Sequence, residues 1–157
     1  MIYPLLKLLH LSAVILFLGN IITGHFWMHI AMKTNDIGII LHTTKGVIRS
    51  DRIFTVPGVI IITTGGLLAA ISGSIPILRT GWIFWSIILF SLSGVVFSFK
   101  LAPLQNKIYI LAGKSEISDD TDWVSLKKVY LEWKIWGMIT LALPTAALVM
   151  MILKIPR

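Results

Sequence analysis

Four apolar stretches, together covering well over half of the 157 residues, fix the class of this chain before any motif is read. The first runs from Tyr3 to Met28 and is interrupted only by Lys7, His10, Asn20, His25 and a few small polar residues. Ile53 to Leu78, Gly81 to Phe99 and Ile135 to Leu153 carry no charge at all. At about 1.5 Å of rise per residue, each stretch is long enough to cross a hydrocarbon core. The expected architecture is all-α: an integral membrane four-helix bundle with amphipathic cytoplasmic connections. A single transmembrane domain fills residues 1–157, with helices at about 3–30, 53–78, 81–105 and 132–154. The first stretch is too long for the apolar region of a secretory signal. It also has a polar interior and lacks a small-x-small cleavage site, so it is expected to be retained.

Charge sets the orientation. The chain has 14 Lys and Arg against 7 Asp and Glu, an excess that in a soluble protein would point to nucleic acid. Here the membrane accounts for it, and no nucleic-acid partner is expected. Lys33, Lys45, Arg49 and Arg52 lie between helices one and two; Lys107, Lys114, Lys127, Lys128 and Lys134 lie between helices three and four. The opposite side holds only Lys7, Arg79, Lys154 and Arg157. The positive-inside rule then puts both connections in the cytoplasm and both termini outside, in a bacterial cytoplasmic (inner) membrane.

The connections differ in kind. A few residues around Ile77 to Thr80 join helices two and three, which makes those two an expected antiparallel neighbouring pair. Asn35 and Asp36 precede an apolar-polar pattern from Ile37 to Ile48 that suits a short amphipathic helix on the membrane surface. Ser118, Asp119, Asp120 and Asp122 suit a helix start, so the fourth helix is expected to begin below the membrane. Trp123, Tyr130, Trp133 and Trp136 then fall near the headgroups, as an aromatic belt does.

Chemistry must come from the few polar groups. Cysteine is absent, which removes disulfides, thiolate-metal sites, iron–sulfur clusters and thioether-linked haem. Every acidic residue falls in a connection or, for Glu132, at the entrance to helix four. No buried carboxylate is expected, and a pump or secondary transporter gains little support. The histidines remain. His10, His25, His29 and His42 all lie in helix one or just after it, so bis-His ligation between two helices of one chain has no donor in helices two to four. One route pairs His25 or His29 with His42; another leaves His10 as a single axial ligand, with Met150, Met151 or Lys154 as a sixth-position donor. His10 sits about 10 Å along the helix from Tyr3. Phe17 and Gly24 share its face and Lys7 lies one turn earlier, a combination suited to a porphyrin edge. Against this stands a plainer role for His10, a hydrogen bond to a carbonyl or serine of a neighbouring helix, with Gly24 allowing close packing. His25 and His29, four residues apart, share a face that can seed a metal site, although solvation or lipid phosphate is the preferred reading for them and for His42. Asn20 reads as a helix-helix hydrogen bond. Pro57-Gly58 and Pro144 are expected to loosen the backbone ladder locally.

Lys7-x-x-His10, Arg52-x-Phe54 running into Pro57-Gly58, Gly81-Trp82, Pro144-Thr145 and Lys154 together resemble the HemJ-type protoporphyrinogen oxidases and the wider CopD-like group of four-helix bacterial membrane proteins. That resemblance implies a haem-linked role for His10, with Lys7 beside it. Two departures stand out. Ile83-Phe84-Trp85-Ser86 replaces the Leu-His-x-Lys block of those enzymes, and apolar residues ending in Leu143 replace their Asn-Glu pair. A b-type haem or porphyrin-binding redox protein, acting in electron transfer or tetrapyrrole oxidation with a membrane redox partner or as a homodimer, is the expectation that follows. The alternatives are a non-enzymatic accessory subunit of a larger membrane complex and a copper-handling protein using His25, His29 and the methionines.

Overall fold

The computed structural model describes residues 2–113 and 120–156. Its helices, in chain order, are α1 (Ile2–Thr34), α2 (Ile37–Ser50), α3 (Val56–Ser72), α4 (Gly81–Val96), α5 (Ala102–Ala112) and α6 (Asp120–Leu153). Two π-helical segments, Asp51–Thr55 and Phe97–Leu101, fuse α2 to α3 and α4 to α5. The result is four long rods, α1, α2–α3, α4–α5 and α6, each apolar and long enough to span a membrane, with no strand among the described residues. The all-α four-span bundle expected from the sequence is what forms.

Each rod buries one narrow stripe and turns the rest of its apolar surface outward. On α1 the stripe is His10, Ala13, Phe17, Ile21, Gly24 and Met28, advancing by three and four residues as a coiled-coil seam does. On the second rod it is Ile40, Thr44, Val47, Asp51, Thr55, Gly58, Ile62 and Gly65, unbroken through the π-helical segment. Leu5, Leu8, Ile15, Leu67 and Ile152 are among many large apolar side chains left exposed, as a lipid-facing surface requires.

Small residues decide which rods touch. Gly65 and Gly58 of α3 let α1 approach so closely that a Cβ there would stand 3.6 Å from the Cβ of His10 and 3.5 Å from that of Phe17. On the other side, α4 is tied to α6 by two serines. Ser86 Oγ donates to the Ala147 carbonyl at 3.1 Å and Ser93 Oγ to the Thr140 carbonyl at 2.8 Å. Thr140 is the residue whose carbonyl Pro144, lacking an N–H, leaves unpaired, so Ser93 fills a gap that proline opens. α1 therefore pairs with α3 and α4 with α6, while α2 and α5 pack on each other. The expected neighbouring pair of helices two and three is overturned. Among the described residues no Cα of α3 comes within 8 Å of one in α4, because the Gly73–Thr80 connection lets them diverge and each has its better-fitting seam elsewhere.

Proline also explains the two wide turns. Pro57 and Pro103 each lie just past a π-helical segment, and each would press its ring on the carbonyl four residues back. The backbone widens instead. The Val56 N–H bonds the Asp51 carbonyl and the Ala102 N–H bonds the Phe97 carbonyl, five residues back in both rods. The amphipathic helix expected after Asn35 exists as α2, with Asn35 in the left-handed region at φ 49° and Asp36 accepting from the Ile39 N–H at 3.1 Å. It does not lie apart on the membrane surface. Ile40, Thr44 and Val47 are buried where α2 packs on α1 and α5, and the helix runs straight on into α3. The expected helix start at Ser118 and Asp119 and the side chain of Asp120 lie outside the described residues. Of the expected aromatic belt, Trp133 is only 1% exposed and belongs to the interior, whereas Trp136 is half-buried with the Lys100 ammonium 5.6 Å above its ring.

Candidate functional site

The expectation that no carboxylate is buried fails at Asp51. This side chain is 8% exposed and lies where three rods meet at the level of the wide turns. Asn20 Nδ2 donates to its Oδ1 at 3.0 Å, Thr55 Oγ1 donates to the same oxygen at 2.8 Å, and Gln105 Nε2 donates to Oδ2 at 2.9 Å. Asn20 Nδ2 also reaches Thr55 Oγ1 at 3.0 Å, which closes the group into a network. Local sequence explains each placement. Asp51 and Thr55 are the first and last residues of the π-helical segment and both fall on its buried stripe. Gln105 follows Pro103 by two residues, so the second wide turn delivers it to the same level. Asn20 lies one turn before Gly24 on α1 and is half-buried.

All three donors to Asp51 are neutral. A carboxylate withdrawn from water costs several kcal/mol in a protein interior, and hydrogen bonds to a charged group return roughly 1.5–3 kcal/mol each. Three such bonds bring the group near balance. Replacing the whole cluster with apolar residues of similar volume would pack as well, so burial alone gives no reason for an acid at this depth.

His25 lies on α1 just beyond Asn20. Its Nδ1–H donates to the Ile21 carbonyl one turn back at 2.9 Å. Its ring stacks on Trp133 with centroids 4.5 Å apart and planes 19° from parallel, and Trp133 stacks in turn on Tyr130 at 6.0 Å. The Tyr130 hydroxyl lies 3.4 Å from Nδ1 of the exposed His29. Gly137 on α6 makes the room, because any side chain there would overlap the imidazole at Nε2. Two buried polar atoms remain without a hydrogen-bond partner among the described residues: Nε2 of His25 and Nε1 of Trp133.

His10, Phe17 and Gly24 do share a face, as the helical spacing requires, but that face is covered by the second rod. His10 is 9% exposed and its Nδ1–H donates to the Ile62 carbonyl at 2.8 Å. The ring rests on Gly66, where a Cβ would stand 2.9 Å from Cε1. Phe17 packs on Gly58 and, with ring centroids 5.5 Å apart, on Phe90; Gly24 faces Val47, whose Cγ1 would lie 3.5 Å from an added Cβ. As packed, the width a porphyrin edge would need on this face is taken by α2 and α3. Lys7 is exposed and stays off the seam. Met150 lines an open, almost wholly apolar groove between α4 and α6 with Leu89, Met138 and Leu141, so it is not brought to His10. His29 and His42 are exposed. Among the described residues no three His, Asp or Glu side chains gather as a metal-binding group.

Sequence reasoning missed Asp51, Thr55, Gln105 and Trp133. The signal for Asp51 was present: the three-and-four spacing of buried positions continues from Ile40 through Thr44, Val47 and Asp51 into Thr55. Starting helix two at Ile53 cut that stripe and left Asp51 in a loop. No curated protein and no solved structure matches the chain. The profile of a family described as "Predicted integral membrane protein (DUF2269)" matches residues 4–155, nearly its whole length, so the chain belongs to that family of integral membrane proteins.

Proposed function

We propose that this membrane protein works by taking up and releasing a proton at Asp51, within the layer where the wide turns of two rods meet α1. The observation that carries the reading is the buried Asp51 carboxylate, held by neutral donors from α1, from its own segment and from α5. Ionisable groups at such depth are scarce in membrane bundles and mark ion and proton pathways. π-helical segments often accompany functional sites, and here one carries the acid itself. Every donor in the layer suits the ionised form; a proton on Asp51 displaces one of them and so changes how α1, α3 and α5 are tied together. In the orientation implied by the basic connections, Asp51 faces the cytoplasmic half of the bilayer. The reading is tested by infrared difference spectroscopy of the protein in lipid nanodiscs, comparing the wild type with Asp51→Asn. A protonated-carboxyl band that appears on acidification and is missing in Asp51→Asn supports it; an unchanged band in the variant sinks it.

A second reading keeps the b-type haem or porphyrin suggested by the HemJ-like residues, with His10 as the ligand and a membrane redox partner or second copy of the chain as electron partner. One observation favours it. The Nδ1–H bond to Ile62 leaves the lone pair on Nε2, the tautomer in which a histidine coordinates iron. The α1–α3 seam would have to part at Gly66 to admit the macrocycle. Oxidised and dithionite-reduced spectra of the purified protein decide the matter: a near-stoichiometric Soret band lost in His10→Ala supports this reading, and a colourless folded protein removes it.

A further inference from the structure

We infer that Gln105 is the positioning residue for the proton at Asp51: the proton lands on Oδ2, and the Gln105 amide turns over to accept a hydrogen bond from it. The inference rests on the proton exchange proposed at Asp51. It starts from an asymmetry between the two carboxylate oxygens. Oδ1 takes two donors, Asn20 Nδ2 at 3.0 Å and Thr55 Oγ1 at 2.8 Å, and those two are themselves joined at 3.0 Å. A carboxylate oxygen has two lone pairs, so Oδ1 is filled. Oδ2 takes one donor, Gln105 Nε2 at 2.9 Å, and keeps a lone pair for a proton.

A proton there turns Oδ2 into a donor that faces a second donor, the Nε2–H of Gln105. Both side chains are buried, so the mismatch has to be resolved by the protein. Asn20 and Thr55 are committed to Oδ1 and to each other. Gln105 is free to respond. Its amide carries a donor and an acceptor of nearly equal size on a terminal torsion that is broad and roughly two-fold. Half a turn exchanges Nε2 for Oε1 without moving the backbone. The bond from Nε2–H to Oδ2 becomes a bond from Oδ2–H to Oε1. One proton enters, one O–H bond forms, the carboxylate charge falls to zero and no covalent bond breaks.

The fold keeps Gln105 in place for both states. Among the described residues its bond to Asp51 is the one side-chain hydrogen bond between the second and third rods. Leu101, Gln105, Ile108 and Ala112 form the buried stripe of the third rod, and Ile108 packs in the same apolar cluster as Ile40 of α2. A leucine at 105 would fill the seam and bond nothing, and a lysine would donate without being able to accept. Other charged groups on the elements around Asp51 do not compete for Oδ2. Lys45 and Arg49 of α2, Arg52 of its own segment, and Lys100 and Lys107 of the third rod are exposed, α3 has no titratable side chain, and His25 of α1 bonds Ile21.

Gln105 is the one glutamine in the chain, so glutamine labelled with carbon-13 at the side-chain carbonyl marks it alone. Infrared difference spectra of the full chain in lipid nanodiscs are recorded across a pH titration for labelled wild type, labelled Asp51→Asn and Gln105→Met, whose side chain is of similar length and has no amide. In the wild type the labelled carbonyl band is expected to shift downward, as Oε1 gains a hydrogen bond, with the same midpoint as the protonated Asp51 band. Asp51→Asn should show neither change. In Gln105→Met the protonated Asp51 band is expected at higher frequency than in the wild type, because its O–H has lost its acceptor. The labelled wild type carries the test by itself if Gln105→Met does not fold. A glutamine band that stays fixed or moves upward while Asp51 titrates would overturn the amide turnover and leave the Asp51 reading intact; absence of an Asp51 band in the wild type would remove that reading and this inference with it.

Discussion

Two histidines fifteen positions apart on α1, His10 and His25, meet the same problem and solve it differently. Each is drawn into a helix seam and each gives its Nδ1–H to a backbone carbonyl. For His10 that carbonyl belongs to Ile62 on the facing helix, so the bond is itself a tie between α1 and α3. For His25 it belongs to Ile21 of the same helix, so the bond ties nothing together and orients the ring toward α6. Glycine makes room in both cases, Gly66 for one and Gly137 for the other. Around His10 the neighbours are apolar or backbone. Around His25 stand an indole whose N–H has no hydrogen-bond partner among the described residues and, stacked beyond it, a tyrosine that leads to the surface. The first seam is built for packing, and the second holds polar groups that packing does not need.

The comparison breaks most sharply at Asp51. Asp51→Ala leaves Asn20, Thr55 and Gln105 without their shared acceptor and should cost about 3 kcal/mol or more, since each orphaned buried donor costs roughly 1–3 kcal/mol. Thermal unfolding in mild detergent measures it. Adding Asn20→Ala to that variant should cost clearly less than Asn20→Ala does in the wild type, because the two share one network. Next comes Gly137→Ala, which drives a methyl group into the His25 imidazole and should cost about 1–3 kcal/mol. Combining it with His25→Ala should recover most of that loss, and a fully additive double variant would contradict the packing described.

Smaller effects separate the seams from one another. Ser93→Ala should lower stability by about 1 kcal/mol, since it frees the Thr140 carbonyl that Pro144 cannot pair. Pro144→Ala should reduce that penalty by restoring an N–H to the ladder. Trp133→Phe should cost about 1 kcal/mol, because the ring it removes leaves a partly filled cavity where the side chain is only 1% exposed. An unchanged unfolding midpoint would contradict that packing.

Much of the fold was legible from the chain and the centre of the site was not, for a common reason. Apolar length located four spans, and the Asn35-Asp36 turn located α2. Loop shortness suggested that consecutive helices pair, yet Gly58, Gly65, Ser86 and Ser93 decide the partners, and only a three-dimensional arrangement tells which helix each faces. Apolar length alone leaves Asp51 in the connection, between Arg49 and Arg52 and outside the uncharged stretch that begins at Ile53. Those residues point elsewhere: Arg49 and Arg52 are exposed while Asp51 falls on the buried stripe, and the wide turn ahead of Pro57 keeps it there. Gln105 falls on a similar stripe, Leu101, Gln105, Ile108 and Ala112, but the spacing does not tell which polar group it meets. His10 was noticed because it is isolated in an apolar stretch; His25 was discounted because it lies near a helix end, although the rods run on past that point.

The most direct test of a proton site at Asp51 is an equilibrium titration of the carboxyl infrared band in nanodiscs, across the pH range in which the protein stays folded. The account predicts one band, reversible with pH, that is absent from Asp51→Asn and shifted in Gln105→Leu, where one hydrogen bond to the carboxylate is gone. A titration in which wild type and Asp51→Asn superimpose would contradict it, and would leave Asp51 as a structural tie among three rods.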